Sequence, residues 1–273
     1  MYSYRGTTAL VTGASKGLGR AYAQELGRRG AHLILVARSA PALERLASEI
    51  RADHHVDTRV IATDLSDPAG PTAVAEELRE QGAAVDLLVN NAGLGSVGPF
   101  FTRPLAQHVQ SVDVNINGLM LMTRLIGEDM LERGSGGIIN VASTAAFQPM
   151  PYQASYAATK AFVLSFSEAL TAELRDSGVH VMVAHPGATD TGFFDNTTAV
   201  MDAKRADSPT RVAAKTLEDF ARGRTASYPG RPLFRALTWP ARLLPRTTVT
   251  RVTAGFNRHM GFHEVQDVRT PAN

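Results

Sequence analysis

A tyrosine and a lysine one helical turn apart are the residues of this sequence best suited to chemistry. Three residues separate Tyr156 from Lys160, and Ser143 lies thirteen residues before the tyrosine. Residues four apart on a helix share one face. A lysine cation beside a phenol favours the phenolate and lowers a pKa that is normally about 10. Such a phenol could exchange a proton with a carbonyl or alcohol oxygen near neutral pH, and Ser143 could hydrogen bond to the same oxygen.

The same spacing arises by chance on many solvent-facing helices, so the pair alone could be an exposed surface pair. The elements that surround it must decide between the two interpretations. A glycine-rich turn near the start of the chain is the first of these elements. It follows a short β-favouring run, Thr8–Thr12, and precedes a helical segment from Arg20 to Arg29.

Strand, glycine-rich turn and helix are the parts of a dinucleotide-binding unit. The turn residues that we assign to cofactor binding are Gly13, Ser15, Lys16, Gly17, Leu18 and Gly19. Glycines permit a tight turn and a close approach of backbone to a pyrophosphate, and the helix N-terminus offers free N–H groups to phosphates. An ordinary glycine-rich turn is the alternative, and the flanking strand and helix disfavour it.

The end of the second strand predicts which dinucleotide binds. The strand is His32–Ala37. Ala37 stands where an acidic residue would select NAD by binding the ribose 2′-hydroxyl, and Arg38 follows. Lys16 and Arg20 add two cations nearby, and we expect no competing carboxylate. The sequence therefore predicts NADP(H) in preference to NAD(H), unless the two cations are only solvated surface charges.

Strands and helices continue to alternate along the chain. Further strands are predicted at 58–62, 85–89, 137–142 and 179–184, with a weaker seventh near 225–228, and helices at about 71–81, 104–133 and 155–176. This alternation predicts a Rossmann-type α/β fold, a doubly wound parallel sheet of about seven strands with helices on both faces. Ligands of such sheets lie beyond the carboxyl ends of the strands. The residues that follow predicted strand ends are Gly13, Arg38, Asp64, Asn90, Ser143 and Pro186.

These motifs together resemble the short-chain dehydrogenase/reductase family, in its compact single-domain form. The resemblance covers residues 6 to about 192. It rests on Thr12-Gly13-x-x-x-Gly17-x-Gly19, Asp64, Asn90-Asn91-Ala92-Gly93, Asn115-Ile116-Asn117-Gly118, Ser143, Tyr156-x-x-x-Lys160 and Pro186-Gly187. It implies an oxidoreductase that transfers a hydride between NADP(H) and a carbonyl or secondary alcohol.

The resemblance also implies roles for four catalytic residues. Tyr156 would be the acid/base, Ser143 would orient the substrate oxygen, and Lys160 would lower the phenol pKa and bind the nicotinamide ribose. Asn115, preferred over Asn117 because the family spacing is Asn-x-x-Gly, would hold a water in a proton relay to Lys160. The alternative for either asparagine is a side chain that bridges backbone groups of the long helix.

Cofactor contacts are implied at further positions. Asp64 and Leu65 would flank the adenine, and Asn91, Ala92 and Gly93 would shape the floor of the site. Pro186, Gly187, Thr189 and Thr191 would meet the nicotinamide and its phosphates.

Composition sets limits on other functions. The 273 residues include no cysteine, which excludes disulfides and thiolate metal sites and is compatible with the cytoplasmic location that we expect. A net charge of +2 argues against nucleic-acid binding. No signal peptide or apolar run of membrane-spanning length is visible. We expect one domain over residues 1–273, with 231–273 as a basic helical extension. We also expect no metal site, since His54, His55, His259 and His263 are interpreted as surface residues.

The substrate is expected to be apolar. Three regions should border the pocket: the loop from Thr144 to Tyr152, the segment with Phe193 and Phe194, and the turn after Gly93. The apolar residues of that turn are Leu94, Val97, Pro99, Phe100 and Phe101. A lipid-like, acyl or steroid-like ketone would suit such a pocket. The alternative is that these residues only pack the lid.

The C-terminal extension leaves its own alternatives open. Residues 231–273 hold seven arginines against Glu264 and Asp267, with apolar residues at helical spacing. Such helices could cover the active site or a subunit interface, which we favour, or contact an anionic membrane. The long helices near 104–133 and 155–176 predict a homodimer or homotetramer. An NADPH-binding regulator or membrane-surface protein with little turnover is the alternative function.

Overall fold

The computed structural model describes residues 2–192, 197–198 and 206–266. Seven parallel strands form one sheet in the order β3-β2-β1-β4-β5-β6-β7. The strands are β1 Thr8–Thr12, β2 His32–Ala37, β3 Thr58–Ala62, β4 Leu87–Asn90, β5 Gly136–Val141, β6 Val179–Ala184 and β7 Ala226–Ser227. The strand order reverses between β1 and β4, so the predicted Rossmann-type architecture is confirmed.

Helices cover both faces of this sheet. They are α1 Gly17–Arg28, α2 Ala40–His54, α3 Ala69–Glu80, α4 Leu105–Val112, α5 Leu119–Arg133, α6 Ala154–Glu173 and α7 Pro209–Ala221. Alternate strand residues point to opposite faces, so Val11 packs with α1, α2 and α7 while its neighbour Leu10 packs with α3 and α5. Two apolar cores therefore hold the sheet rigid between helix layers.

The long helix predicted over 104–133 differs from the prediction. Its middle, Asp113–Gly118, is a π-helical turn between α4 and α5. Such turns are rare and often occur at functional sites. The helices α2 and α7 were not predicted at all, and β4 begins two residues later than expected.

Three helices follow β7, and they form the predicted helical extension: α8 Pro232–Ala236, α9 Thr238–Leu243 and α10 Arg246–His259. In the described part of the chain, no helix is both long and apolar enough to cross a bilayer.

Candidate functional site

The tyrosine and lysine share the buried face of α6, beside the end of β5. The Lys160 ammonium lies 5.9 Å from the centroid of the Tyr156 ring and donates a hydrogen bond of 2.8 Å to the Val141 carbonyl. Lys160 is only 5% exposed, and burial lowers its pKa to about 8. The interpretation of the two residues as an exposed surface pair is therefore wrong.

The phenol of Tyr156 is hydrogen bonded to the side chain of Ser143. Burial raises the pKa of Tyr156, and the hydrogen bond with Ser143 opposes that rise without cancelling it. Lys160, whose ammonium donates to the Val141 carbonyl, is not among the causes of this shift; the expectation that it lowers the pKa of Tyr156 stays a prediction, and the net shift is upward. The phenol is consequently protonated at neutral pH.

Ser143 is fixed by the backbone around it. Its hydroxyl accepts a hydrogen bond from Ala145 N at 3.1 Å and lies 3.5 Å from the Pro186 carbonyl, to which it donates. Ser143 thereby joins the end of β5 to the turn that follows β6. Its oxygen therefore has a fixed position beside the phenol before any substrate arrives.

Asn115 lies in the π-turn and is completely buried. Its Oδ1 accepts from Leu94 N at 2.8 Å, while its Nδ2 donates to Leu94 O at 2.9 Å and to Thr159 Oγ1 at 2.9 Å. Asn117 is exposed, and its side chain donates to Asp113. Asn115 thus bridges backbone groups, as the alternative interpretation supposed, but those of the loop after β4 and not those of its own helix.

Gly93 lies between Asn115 and Lys160. A Cβ atom built at position 93 would be 3.2 Å from Asn115 Oδ1 and 3.5 Å from Lys160 Nζ. The polar ends of both side chains therefore border one small space that only a glycine leaves open. A water in this space, which the family relay requires, remains a prediction.

The glycine-rich turn forms a cradle at the end of β1. Gly13 and Gly17 adopt positive φ angles of 66° and 55°, and a Cβ at Gly19 would lie 2.1 Å from the Gly13 carbonyl oxygen. These positions exclude side chains, so backbone N–H groups can approach a phosphate. Helix α1 begins at Gly17 without a side-chain cap and without an acidic residue in its first turn. Ser15 and Leu18 are half-buried beside the turn, whereas Lys16 is exposed.

Thr12 and Asn91 fix this cradle to the end of β4. Thr12 Oγ1 accepts from the backbone N–H groups of Asn91 and Ala92 at 3.0 and 2.9 Å. The side-chain Nδ2 of Asn91 donates to the backbone carbonyl of Thr12 at 3.0 Å. Thr12 belongs to the glycine-rich motif but is not among the predicted cofactor-binding residues, and its hydrogen bonds give it a positioning role.

The cations near the end of β2 have carboxylate neighbours, contrary to expectation. Arg20 forms an ion pair with Glu49 of α2, a helix that was not predicted. Arg38 Nη1 lies 3.9 Å from Asp64 Oδ2, and both side chains are largely exposed. Asp64 also accepts hydrogen bonds from Ser66, and with Arg38 these keep its pKa below the usual value despite partial burial. Leu65 is buried against the π-turn.

The turn after β6 completes the crevice. Pro186 is buried, Thr189 donates to Gly187 O, and Thr191 donates to Thr189 O. A Cβ on Gly17 would lie 2.8 Å from Thr191 O, so this segment reaches the glycine-rich turn. Phe193 and Phe194, expected at the pocket, lie outside the described residues.

The loop after β4 has both buried and exposed apolar residues. Val97 is buried with Phe262 and Val265 of the C-terminal segment, whereas Phe101 is 97% exposed. Beside Val97 is a cavity of about 200 Å³, lined by Ser96, Gly98, Phe100, His108, Tyr152 and Ser155 among others. His108 bonds to Ser155 at 2.8 Å, directly before Tyr156.

The C-terminal helices pack on the loops of the site. A Cβ on Gly187 would lie 2.4 Å from the ring of Phe234 in α8, and the Arg242 guanidinium of α9 lies 4.6 Å above the Phe147 ring. From α10, Thr253 and Asn257 donate to the carbonyls of Pro149 and Pro151. Because these contacts join residues that lie between about fifty and about a hundred positions apart, no local sequence pattern predicts them.

No cluster of three or more potential metal ligands occurs within residues 2–192, 197–198 and 206–266. The crevice at the ends of β1 and β2 has the components that a dinucleotide requires: the glycine cradle, the uncapped N-terminus of α1 and nearby cations.

Comparison with known proteins agrees with this geometry. A family model described as short chain dehydrogenase matches residues 7–202. A very-long-chain 3-oxoacyl-CoA reductase of Anas platyrhynchos is 31% identical over 261 residues, 93% of this chain and 81% of its own. A short chain dehydrogenase of Pseudocercospora fijiensis is 35% identical over 188 residues, 68% of this chain, and the match spans only 60% of that relative.

A solved structure is also similar along the whole chain. It is a short-chain dehydrogenase from Sphingobium yanoikuyae in complex with NADPH, with a TM-score of 0.77 and 30% identity. The alignment covers 98% of each chain.

Proposed function

The chain belongs to the short-chain dehydrogenase/reductase family, and from this premise we propose that it reduces an apolar ketone with NADPH. The observation that carries the proposal is the convergence of Tyr156, Ser143 and Lys160 beside a glycine-lined crevice. In this proposal residues 1–273 act as one dinucleotide-binding and catalytic domain.

The side chains divide the chemistry between them. A nicotinamide dinucleotide, when bound, supplies the hydride for the carbonyl carbon. Tyr156, whose raised pKa keeps the phenol protonated, gives its proton to the carbonyl oxygen. Ser143 hydrogen bonds to the same oxygen and stabilises the charge that develops there. Lys160, a cation below a pKa of about 8, binds the ribose and restores the proton to the phenol through groups beside Gly93.

The proposed preference for NADP(H) is based on Lys16 and Arg38. Lys16 is exposed at the glycine-rich turn, and Arg38 follows β2 where the ribose 2′-phosphate of NADP would lie. Arg38 forms a long, exposed pair with Asp64, which a phosphate could replace. Arg20, engaged by Glu49, contributes less than the sequence suggested. The NADPH complex of the similar solved structure supports this choice.

The proposal of an apolar substrate is based on the residues of the loops near the site. Phe147 and Tyr152 belong to the loop between Ser143 and α6, Val97 belongs to the loop after β4, and the ring of Phe234 packs at Gly187. The related 3-oxoacyl-CoA reductase has a name that denotes an acyl ketone as its substrate, which supports an acyl or similarly apolar ketone here.

Oxidation of NADPH, followed by the absorbance of the reduced nicotinamide, tests the proposal. The panel should contain β-keto thioesters, steroid ketones, long-chain ketones and hydrophilic ketoses, each with NADPH and with NADH. We expect turnover with apolar ketones and NADPH, and at least about tenfold less with NADH. Turnover confined to ketoses, or none with any member, would contradict it.

A further inference from the structure

The outer surface of the C-terminal helices combines exposed apolar side chains with arginines that have no carboxylate partner among the described residues. Seven large apolar residues of this segment are between 47% and 78% exposed: Leu233, Leu237, Trp239, Leu243, Leu244, Val252 and Phe256. Soluble proteins rarely expose so many large apolar residues along one short segment. We call the exposed residues of α8, α9 and α10 the C-terminal surface.

The charge of this segment is predominantly positive. Residues 231–266 contain six arginines and one acidic residue, Glu264. Arg231 pairs with Asp207, whereas the other five have no carboxylate partner within the described ranges: Arg235, Arg242, Arg246, Arg251 and Arg258. A guanidinium that is not neutralised by the protein remains able to bind an external anion.

In α10 the two kinds of residue are arranged around the helix. Val249 and Asn257 face the protein, where Asn257 and Thr253 bond to the loop before α6. Val252 and Phe256, one turn apart, lie on an exposed stripe, and Arg251 is exposed beside it. One face of α10 is thus attached to the candidate site, and another presents apolar and cationic groups to the outside.

We propose that the C-terminal surface binds the headgroup region of an anionic lipid bilayer, beside the entrance to the candidate site. Apolar side chains would enter the acyl boundary, and arginines would bind lipid phosphates. A second copy of the chain suits this surface poorly, since two such faces would bring like charges together. Nucleic acid would leave the leucines without an apolar partner. The proposal is compatible with the apolar ketone proposed above, but its test does not depend on turnover.

Flotation of the full chain with vesicles tests it directly. We expect the protein to float with phosphatidylglycerol/phosphatidylcholine vesicles and not with pure phosphatidylcholine, and binding should weaken with added salt. Arg246→Glu/Arg251→Glu should reduce partitioning at least tenfold, and Val252→Ser/Phe256→Ser should do the same. The matched control is Arg5→Glu/Arg175→Glu, which changes the net charge equally at exposed positions outside the segment and should retain binding.

Several results would overturn the proposal. They are no flotation with anionic vesicles, equal binding to neutral vesicles, or an equal loss in the control. A fourth result is a wild-type oligomer that dissociates when Val252→Ser/Phe256→Ser is introduced. It would show that the C-terminal surface binds a second copy of the chain. Loss of NADPH oxidation with flotation intact would instead contradict only the proposed function.

Discussion

Asn115 holds both backbone polar groups of Leu94: its Oδ1 accepts from Leu94 N at 2.8 Å and its Nδ2 donates to Leu94 O at 2.9 Å. This paired contact ties the π-turn of the long helix to the loop that leaves β4. It fixes Gly93, the residue next to Leu94, against Lys160. Asn115 consequently positions Gly93 and Lys160 through its hydrogen bonds to Leu94, as well as through any water that it holds.

Replacing this side chain should therefore damage both stability and turnover. Asn115→Ala leaves Leu94 N, Leu94 O and Thr159 Oγ1 without their buried partner, and each loss costs about 1–3 kcal/mol. We expect urea unfolding to show a loss of at least about 3 kcal/mol. Asn117→Ala, two residues away and exposed, should change stability by less than about 0.5 kcal/mol. Equal effects of the two changes would refute the positioning role.

Lys160 should make stability depend on alkaline pH. Its pKa in the folded protein is lowered by burial from 10.5 to about 8, so the unfolded chain binds more protons between these values. Stability contributed by this group therefore rises as pH increases from about 8 to 10.5. Relative to Lys160→Met, the wild-type free energy of unfolding should increase by roughly 2–3 kcal/mol between pH 7 and pH 10. A difference that stays constant or falls would show that the ammonium is not desolvated.

His185 should make the free energy of unfolding depend on pH under acidic conditions. The ring is 1% exposed between Phe147 and Tyr228, and neither nitrogen has a well-formed hydrogen bond within the described residues. Burial lowers the pKa of His185 to about 4, against a weaker influence of the Ser143 backbone. The unfolded chain therefore binds more protons between about 4 and 6.5, and stability is lost as pH falls through that window.

The variant His185→Phe should remove this dependence. It keeps a ring in the cluster and eliminates the titrating nitrogens, so between pH 7 and pH 5 it should lose about 1–2 kcal/mol less than the wild type. His259→Phe, at an exposed position of α10, is the control and should follow the wild type. Parallel acid profiles for wild type and His185→Phe would contradict the assignment.

Arg38 should select the cofactor. Arg38→Asp replaces a cation at the expected 2′-phosphate with an anion, and a charge-assisted hydrogen bond contributes about 1.5–3 kcal/mol. The ratio of kcat/KM for NADPH to that for NADH should fall at least about tenfold, since each 1.4 kcal/mol is a factor of about ten. Arg175→Asp makes the same charge change beyond the far end of α6 and should leave the ratio unaltered. An unchanged ratio in Arg38→Asp would place the 2′-phosphate elsewhere.

The sequence was most informative where local pattern decides the structure. β1, β2, β3 and β6 have the predicted bounds, because buried parallel strands are short apolar runs between polar residues. The glycine-rich turn was recognised because its backbone conformation requires glycine.

Features that depend on distant residues could not be read in this way. The π-turn owes its position to hydrogen bonds between Asn115 and a loop twenty-one residues earlier. The partner of Arg20 is on α2, a helix that we did not predict although its buried residues recur at helical spacing: Leu43, Leu46, Ala47 and Ile50. The direction of the Tyr156 pKa depends on burial, and burial is decided by the tertiary structure.

Turnover by Tyr156→Phe, measured together with NADPH binding, tests the central claim most directly. The phenylalanine keeps the ring but cannot give a proton to the substrate oxygen, so kcat should fall by about a hundredfold to ten-thousandfold. The dissociation constant for NADPH, measured by fluorescence titration, should change by less than about threefold, because the glycine cradle and Arg38 are untouched. Near wild-type turnover in a variant that still binds NADPH would show that Tyr156 is not the proton donor.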